Sequence, residues 1–200
     1  ERAEPKYVVC NADESEPGTF KDRVILEELP HLVLEGMLLG GLVTGARSGW
    51  IYIRHEYARE RKAILRAIDE AYRTGVLGPS VLGSNFAFDV KLFVSPGGYI
   101  LGEETALLEA LEGKRGEPRN KPPYPGTHGL FGKPTLVNNV ETLASVPRVL
   151  RTGRAEFKFF SVSGDVERPG VHEVPVGTTL RQLLDRCGGV RGGRKLLAFL

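Results

Sequence analysis

The stretch "CNADESEPGTFKDR", Cys10 to Arg23, puts three carboxylates (Asp13, Glu14 and Glu16) within four positions. It follows the apolar run "YVV", which reads as a β-strand. In an open α/β sheet, ligands bind just beyond the carboxyl ends of strands. A phosphate site there would want glycines and basic groups, and acids repel phosphate. The plain alternative is an acidic turn that caps a helix.

Three further stretches carry groups of chemical interest. In "SPGGYILGEETALLEALEG" a strand ends, two glycines follow, and a helix opens after Gly102. Glycines at such a junction let a ligand approach the backbone, and helix amides attract anions. The spacing is neither the dinucleotide fingerprint nor a P-loop, because no lysine follows the glycines. Complementing the helix dipole is a sufficient reason for at least one of Glu103 and Glu104. In "NKPPYPG", Lys121 and Tyr124 flank a proline-stiffened turn. The lysine can meet a phosphate and the tyrosine can stack on a base; equally, the segment is a surface loop pinned by prolines. In "PTLVNNVETLA", Asn138 and Asn139 can cap a helix or pair with the edge of a heteroaromatic ring. His31, His55, His128 and His172 lack ligand spacing, so no metal is assigned. No nucleophile elbow is present, and nothing argues for hydrolysis.

These residues need elements to position them. Apolar periodicity predicts strands at "KYVVCNA", "GWIYIRHEY" and "FAFDVKLFVSP". Helices are expected at "LPHLVLEGMLLGGLVTGA", with Pro30 near its start, and at "EYARERKAILRAIDEAYRTG". In the latter, Ala58, Ile64, Leu65, Ile68 and Tyr72 keep helical spacing and Gly75 stops the helix. A third helix is expected at "GEETALLEALEG". Alternation of this kind predicts an α/β fold, a parallel sheet with crossover helices. From Lys114 to Pro134 the pattern stops, and the aromatics and lysines there favour a binding loop. "NNVETLASVPRVLRTG" reads as a helix that Pro147 should end or kink. After Arg154 a second, small β-rich domain follows: a hairpin turning near "ERPG", a short helix capped by Thr178 or Thr179, and a strand begun by "KLLAFL".

Composition excludes several classes. The chain has 200 residues, 41% hydrophobic and 26% charged, with a net charge of +2. That charge is too small and too dispersed to argue for nucleic acid. The longest apolar run, Leu32 to Val43, is interrupted by Glu35, Gly36, Gly40 and Gly41 and falls short of a membrane span. The opening "ERAEPK" has no apolar signal region and no initiating methionine, so the chain reads as a piece of something longer. Cys10 and Cys187 read as two buried thiols rather than a disulfide, and the reducing cytoplasm is the expected compartment. Two cysteines do not make an iron–sulfur or zinc site.

"CNADESEPGTFKDR", "PGGYILGEETALLEALEG", "NKPPYPG" and "GLFGKPTLVNNVETLASVP", in this order, closely resemble the family of the flavin-binding 51 kDa (F) subunit of respiratory complex I. Diaphorase subunits of NAD-linked hydrogenases and formate dehydrogenases share these motifs. The tail "SVSGDVERPGVHEVPVGTTLRQLL" resembles that family's ubiquitin-like β-grasp (SLBB-type) domain, cut short. The resemblance implies a Rossmann-like parallel sheet with helices on both faces over residues 1–154, then the β-grasp domain over 155–200. Two family features lie outside the chain: a "GRGGAGFPTG" glycine loop expected before Glu1, and a [4Fe–4S] domain expected after Leu200. Relatives often carry cysteine where Leu101 stands.

By the same resemblance, FMN contacts fall on Asn11, Asp13, Glu14 and Ser15, on Tyr99, Gly102, Glu103 and Glu104, and on Asn138 and Asn139. Glu16, Glu104, Lys121 and Tyr124 would line the NADH side, with Tyr124 stacked on adenine; Glu104 and Glu16 are the residues expected to matter most for turnover. Carboxylates accept strong hydrogen bonds from ribityl and ribose hydroxyls, and one on a ribose 2′-OH repels a 2′-phosphate. The implied activity is hydride transfer from NADH to FMN, with electrons passed to iron–sulfur clusters. The implied partners are a [2Fe–2S] thioredoxin-like protein and further iron–sulfur proteins of the complex, in a peripheral arm with no direct membrane insertion. A reading of another class is a non-catalytic assembly or docking fragment.

Overall fold

The structure, a computed structural model, describes residues 5–199. Strands β1 (Tyr7–Ala12), β2 (Ser48–Ile53), β3 (Asp89–Val94) and β4 (Thr135–Asn139) form one sheet in the order β3-β2-β1-β4. All its pairings are parallel. The chain leaves β1 towards β2 on one side and returns as β4 on the other. Direction reverses between β1 and β4, where open α/β sheets bind ligands.

Alternation along β1 divides the core. Val8, Cys10 and Ala12 pack with α1 (Lys21–Glu28), α2 (Pro30–Thr44), α3 (Ala58–Arg73) and α6 (Val140–Thr152). Val9 on the opposite face packs with Tyr52, with Leu107, Leu108 and Leu111 of α4 (Glu104–Leu111), and with Leu130. Helices therefore cover both faces. Each fully buried large side chain contributes about 1.5–3 kcal/mol relative to exposure, which holds these layers together.

The glycines that interrupt the apolar run of α2 are its closest contacts. A Cβ at Gly36 would lie 1.9 Å from the Leu143 carbonyl oxygen on α6, and one at Gly41 would lie 2.5 Å from the Phe88 ring. Of the two expected effects of Pro147, ending the helix does not occur: α6 runs on to Thr152. Proline cannot donate to the carbonyl four residues earlier, that of Leu143. Gly36 packs against this same carbonyl, so the oxygen that Pro147 deprives of its usual helical donor lies in the helix–helix contact.

Other expectations need correction. Strand β4 and helix α1 are additional elements in segments that carry little apolar periodicity of their own. β4 has a single fully buried residue, Thr135, and takes its hydrogen bonds from β1. The buried face of α3 is Ala63, Ile64, Ala67, Ile68 and Ala71, whereas Ala58, Leu65 and Tyr72 are exposed. The 114–134 segment contains a short helix α5 (Pro125–His128) and a 3-10 turn (Leu130–Gly132).

Strands β5 (Phe157–Val162) and β6 (Gly170–Pro175) form the expected antiparallel hairpin. Helix α7 (Leu180–Arg186) follows, capped by Thr179 and Gln182 in a reciprocal capping box. Val166, Val174, Leu183 and Cys187 form a separate small core. Residues 195–199 are irregular rather than a strand, and Leu200 lies outside the described residues. The hairpin docks through polar and apolar contacts: Phe20 N–H donates to Ser161 Oγ (2.9 Å), Phe159 N–H to Glu141 Oε1 (3.1 Å), Arg148 pairs with Glu173, and the Phe159 side chain packs on the main core.

Gly36→Ala should destabilise the fold by about 1–3 kcal/mol or more, because the backbone of Leu143 cannot yield. Gly126→Ala, with open space around it, should stay within about 0.5 kcal/mol. Urea unfolding midpoints of the two variants check this, and equal midpoints would remove the contact argument.

Candidate functional site

A cavity of about 390 Å³ opens beyond the carboxyl ends of β1 and β4. Ligand pockets commonly span about 300–1,000 Å³. Its walls include Asn11, Asp13, Glu14, Ser15 and Glu16 from the loop after β1. Tyr99, Gly102 and Glu103 enter from the β3–α4 connection, and Asn139 from the end of β4. The sheet topology thus brings together nine of the predicted positions from three separate stretches. Four do not line the cavity: Asn138, Glu104, Lys121 and Tyr124.

The β1 loop is held from several sides. Arg54, just past the end of β2, donates to the Glu14 carbonyl (3.2 Å) and to Ser15 Oγ; Tyr57 OH donates to the same carbonyl (3.1 Å). Asn11 Nδ2 donates to the Gly102 carbonyl (2.9 Å), tying the strand end to the opposite lip. A Cβ at Gly102 would lie 2.8 Å from the Asp13 carbonyl oxygen, so only glycine permits this closeness. Gly98, at φ 134 and ψ 138, adopts a backbone that L side chains avoid and turns the lip toward the cavity.

The carboxylates differ in their surroundings. Asp13 is buried; its Oδ1 accepts from Ser15 Oγ (2.8 Å), but Oδ2 has no hydrogen-bond partner. Buried polar atoms are almost always paired, so this acceptor stands out, and it lies beneath the cavity surface rather than on it. Glu14 turns down to the cavity floor and accepts the Asp22 backbone N–H in the first turn of α1 (3.1 Å). The capping role expected as the plain alternative is therefore present for Glu14. Burial, then repulsion from Asp22, push its pKa up to about 7. Glu16 stays exposed at the mouth and accepts from Tyr99 OH (2.5 Å).

Glu103 does two jobs. Its Oε2 accepts from the Thr105 and Ala106 amides and caps α4, while Oε1 meets Lys121 Nζ at 3.0 Å. Against burial, these bonds hold its pKa below the usual carboxylate range. Lys121 also meets Glu104 Oε1 at 2.6 Å, so the proline-stiffened loop forms a basic rim across two carboxylates. Arg119 anchors that loop through Glu109, Glu112 and the Gly129 carbonyl. Tyr124 is 61% exposed beside the rim.

The floor holds residues that sequence reasoning passed over. Lys21 Nζ lies 2.5 Å from Asp22, 3.3 Å from Glu141 and 3.7 Å from Glu14. It also reaches Asn139 Oδ1 (3.3 Å), while Asn139 Nδ2 donates to Asp22 (2.6 Å) and Asn139 Oδ1 caps α6. Burial works against the ammonium, but Asp22, Glu14 and Glu141 outweigh it and raise the Lys21 pKa. Lys21 and Asp22 stand inside the quoted acidic stretch, in its "FKDR" end. The available signal was a cation and an acid in the first turn after a strand-end loop.

The comparisons with known proteins bear on the family and the fold. Residues 1–148 match the family model described as the Nuo51 FMN-binding domain. The chain belongs to this family. Residues 159–195 match the SLBB domain. The F subunit of NADH-quinone oxidoreductase from Aquifex aeolicus (strain VF5) is 49% identical over 97% of this chain and 48% of the relative. The one from Escherichia coli (strain K12) is 47% identical over 97% of this chain and 46% of the relative. The chain spans about half the length of the curated relatives it matches. A chain in the crystal structure of an NAD+-reducing [NiFe]-hydrogenase in the H2-reduced state superposes with a TM-score of 0.86 at 39% identity, covering 96% of this chain and 34% of that one. Among the described residues, no helix is long and apolar enough to cross a membrane, and no metal-holding cluster of His, Cys, Asp or Glu occurs.

The residues present fit part of an FMN molecule. The strand-end carboxamides of Asn11 and Asn139, the Ser15 hydroxyl and a backbone approach at Gly102 suit ribityl hydroxyls and a ring edge. Among the described residues, Lys21 is the one cation in the wall, and it is bound to carboxylates. These residues therefore offer a phosphate no free donor of positive charge.

The Glu14 carboxyl binds its proton more tightly folded than unfolded, where it titrates near 4.5. Its contribution to stability is therefore full below about 4.5 and is lost as pH rises to about 7. Unfolding midpoints measured against pH should fall over that window, and Glu14→Gln should flatten the fall. An unchanged slope in the variant would remove Glu14 as its source.

Proposed function

We propose that the chain is the nucleotide-binding part of an FMN-dependent NADH dehydrogenase. Residues 1–154 would hold FMN and NADH, and residues 155–200 would form a β-grasp domain beside them. The observation that carries the reading is the convergence of nine acceptor- and donor-bearing positions, from three separate stretches, on an acid-walled cavity at the sheet's switch point. When bound, FMN supplies a ring that accepts hydride from NADH.

The chain's own residues do the rest by binding and alignment. Asn11, Asp13 and Ser15 offer hydrogen-bonding atoms to ribityl hydroxyls, and Gly102 lets the ring reach the backbone. Asn139, whose oxygen is held by Lys21 and the Glu141 amide, has its second Nδ2 hydrogen for the ring edge, with Asn138 beside it at the strand end. Glu103, fixed as the α4 cap, and Tyr99 border the ring's outer side. Glu16 and Glu104 stand at the mouth, where nicotinamide ribose hydroxyls need acceptors. Lys121 leaves its carboxylates for the pyrophosphate, and Tyr124 stacks on adenine. No nucleophile is required, because hydride transfer depends on ring stacking and distance.

The match to the NADH-quinone oxidoreductase relatives favours electron transfer toward quinone. The likeness to the hydrogenase favours a diaphorase role as the second reading. In either case the expected partners are a [2Fe–2S] thioredoxin-like protein and other iron–sulfur proteins, with a [4Fe–4S] cluster held by a further domain. The compartment proposed is the cytoplasm, as a peripheral arm or a freely diffusing complex.

The full-length protein should be yellow and reduce ferricyanide with NADH; a colourless, inactive protein would favour the docking role. Glu104→Gln should raise the NADPH/NADH ratio of kcat/KM by about tenfold, equal to about 1.4 kcal/mol of lost repulsion. An unchanged ratio there, and in Glu16→Gln, would sink the discriminating role. Tyr124→Ala should weaken NADH binding while flavin content stays constant, and flavin loss would move Tyr124 to the other side.

A further inference from the structure

The cavity floor carries more acid than its position explains. Glu14, Asp22 and Glu141 have side chains only 4%, 1% and 9% exposed, and one ammonium, Lys21, serves all three. The exposed Lys158 adds only a distant contact to Glu141, at 4.0 Å. Three ionised carboxylates around Lys21 leave a net charge of −2 in a partly desolvated site. The other charged and titratable groups near Glu14 are Arg23 on α1 and Arg54 and Tyr57 after β2, with Asp13 beside it on its own loop and Glu16 apart at the mouth. Arg54 and Tyr57 hold the Glu14 backbone carbonyl, while its carboxyl accepts the Asp22 amide and faces Lys21. Asp22 is committed to Lys21 and Asn139, and Glu141 to Lys21 and the Phe159 amide. Of the three pairs that Lys21 makes, the one with Glu14 is the longest, at 3.7 Å, and Glu14 lines the cavity.

We propose that Glu14 is a proton acceptor coupled to reduction of the flavin, and that Lys21 and Asp22 set the pH at which it acts. This rests on the flavin reading above. NADH delivers a hydride to the bound flavin and leaves as NAD+, so the flavin gains one negative charge. That charge arises against a floor already rich in carboxylates. Solvent then supplies one proton to the Glu14 carboxylate, which becomes a neutral acid and offsets the added charge. A carboxyl already pushed up to about 7 by its surroundings is poised for this exchange.

The test is a spectroelectrochemical titration of the flavin in the full-length, flavin-loaded protein, from about pH 6 to 9. One extra proton per two electrons adds about 30 mV of potential per pH unit, the value of a tenfold change for a two-electron couple. Wild type should show a segment steeper by that amount near neutral pH, and Glu14→Gln should lack it. Lys21→Met removes the cation that lowers the Glu14 proton affinity, so the steep segment should move to higher pH. Asp22→Asn removes repulsion and should move it to lower pH. If Glu14→Gln does not retain flavin, the opposed shifts of the other two variants decide. Equal slopes in wild type and Glu14→Gln, or a segment that neither Lys21→Met nor Asp22→Asn moves, overturn the proposal. A wild-type protein that carries no flavin overturns the underlying reading instead.

Discussion

The strand-end site depends on one constraint: several carboxylates must stay buried beside a cavity without a matching number of cations. Lys21 meets most of this demand, with Asp22, Glu141, Glu14 and Asn139 all within its reach. Removing one partner from such a group leaves the others poorly compensated, which is far more destabilising than losing an exposed ion pair. The network therefore fixes the relative positions of the β1 loop, the start of α1 and the start of α6. The same three segments supply much of the cavity.

This floor also joins the two parts of the molecule. Glu141 accepts from the Phe159 amide on β5 while it faces Lys21, and Ser161 accepts from the amide of Phe20, next to Lys21. Hairpin and cavity share hydrogen-bonded residues, and Phe159 adds an apolar contact to the main core. A change in charge at the floor is felt by the hairpin through a single side chain. The rim is built differently. Lys121, Glu104, Tyr99 and Glu16 are on the exposed side, joined by hydrogen bonds that water can replace. Such contacts contribute little stability and exchange readily for those of a nucleotide. A rigid acidic floor under an adaptable rim suits a site that keeps one cofactor and turns over another.

Much of the fold was legible in sequence because its signals are local. Strands β1 to β3, helices α2 to α4 and the β5–β6 hairpin announce themselves by period and by turn residues. Strand β4 did not, since four of its five residues are only partly buried and its hydrogen bonds come from β1. Pro147 does not end α6 for a related reason. Its local rule is sound, but the carbonyl that it deprives of its usual helical donor packs against Gly36 of a distant helix.

By itself, the sequence determined the kind of chemistry. The acidic run, the glycine lip, the proline-stiffened lysine loop and the paired asparagines marked nine of the residues around the cavity and four near it. Their types state what each can accept or donate, and that property needs no structure. Tertiary structure alone decided how they divide the work. It turned Glu14 down onto Lys21 and left Glu16 at the mouth, although two positions separate them. It left Asp13 Oδ2 without a donor, and it brought Glu141 and Asn139 more than a hundred residues along the chain to meet Lys21. The physical reason is that burial and pairing, which set the charge state of a carboxylate, depend on the distance to groups far away in sequence.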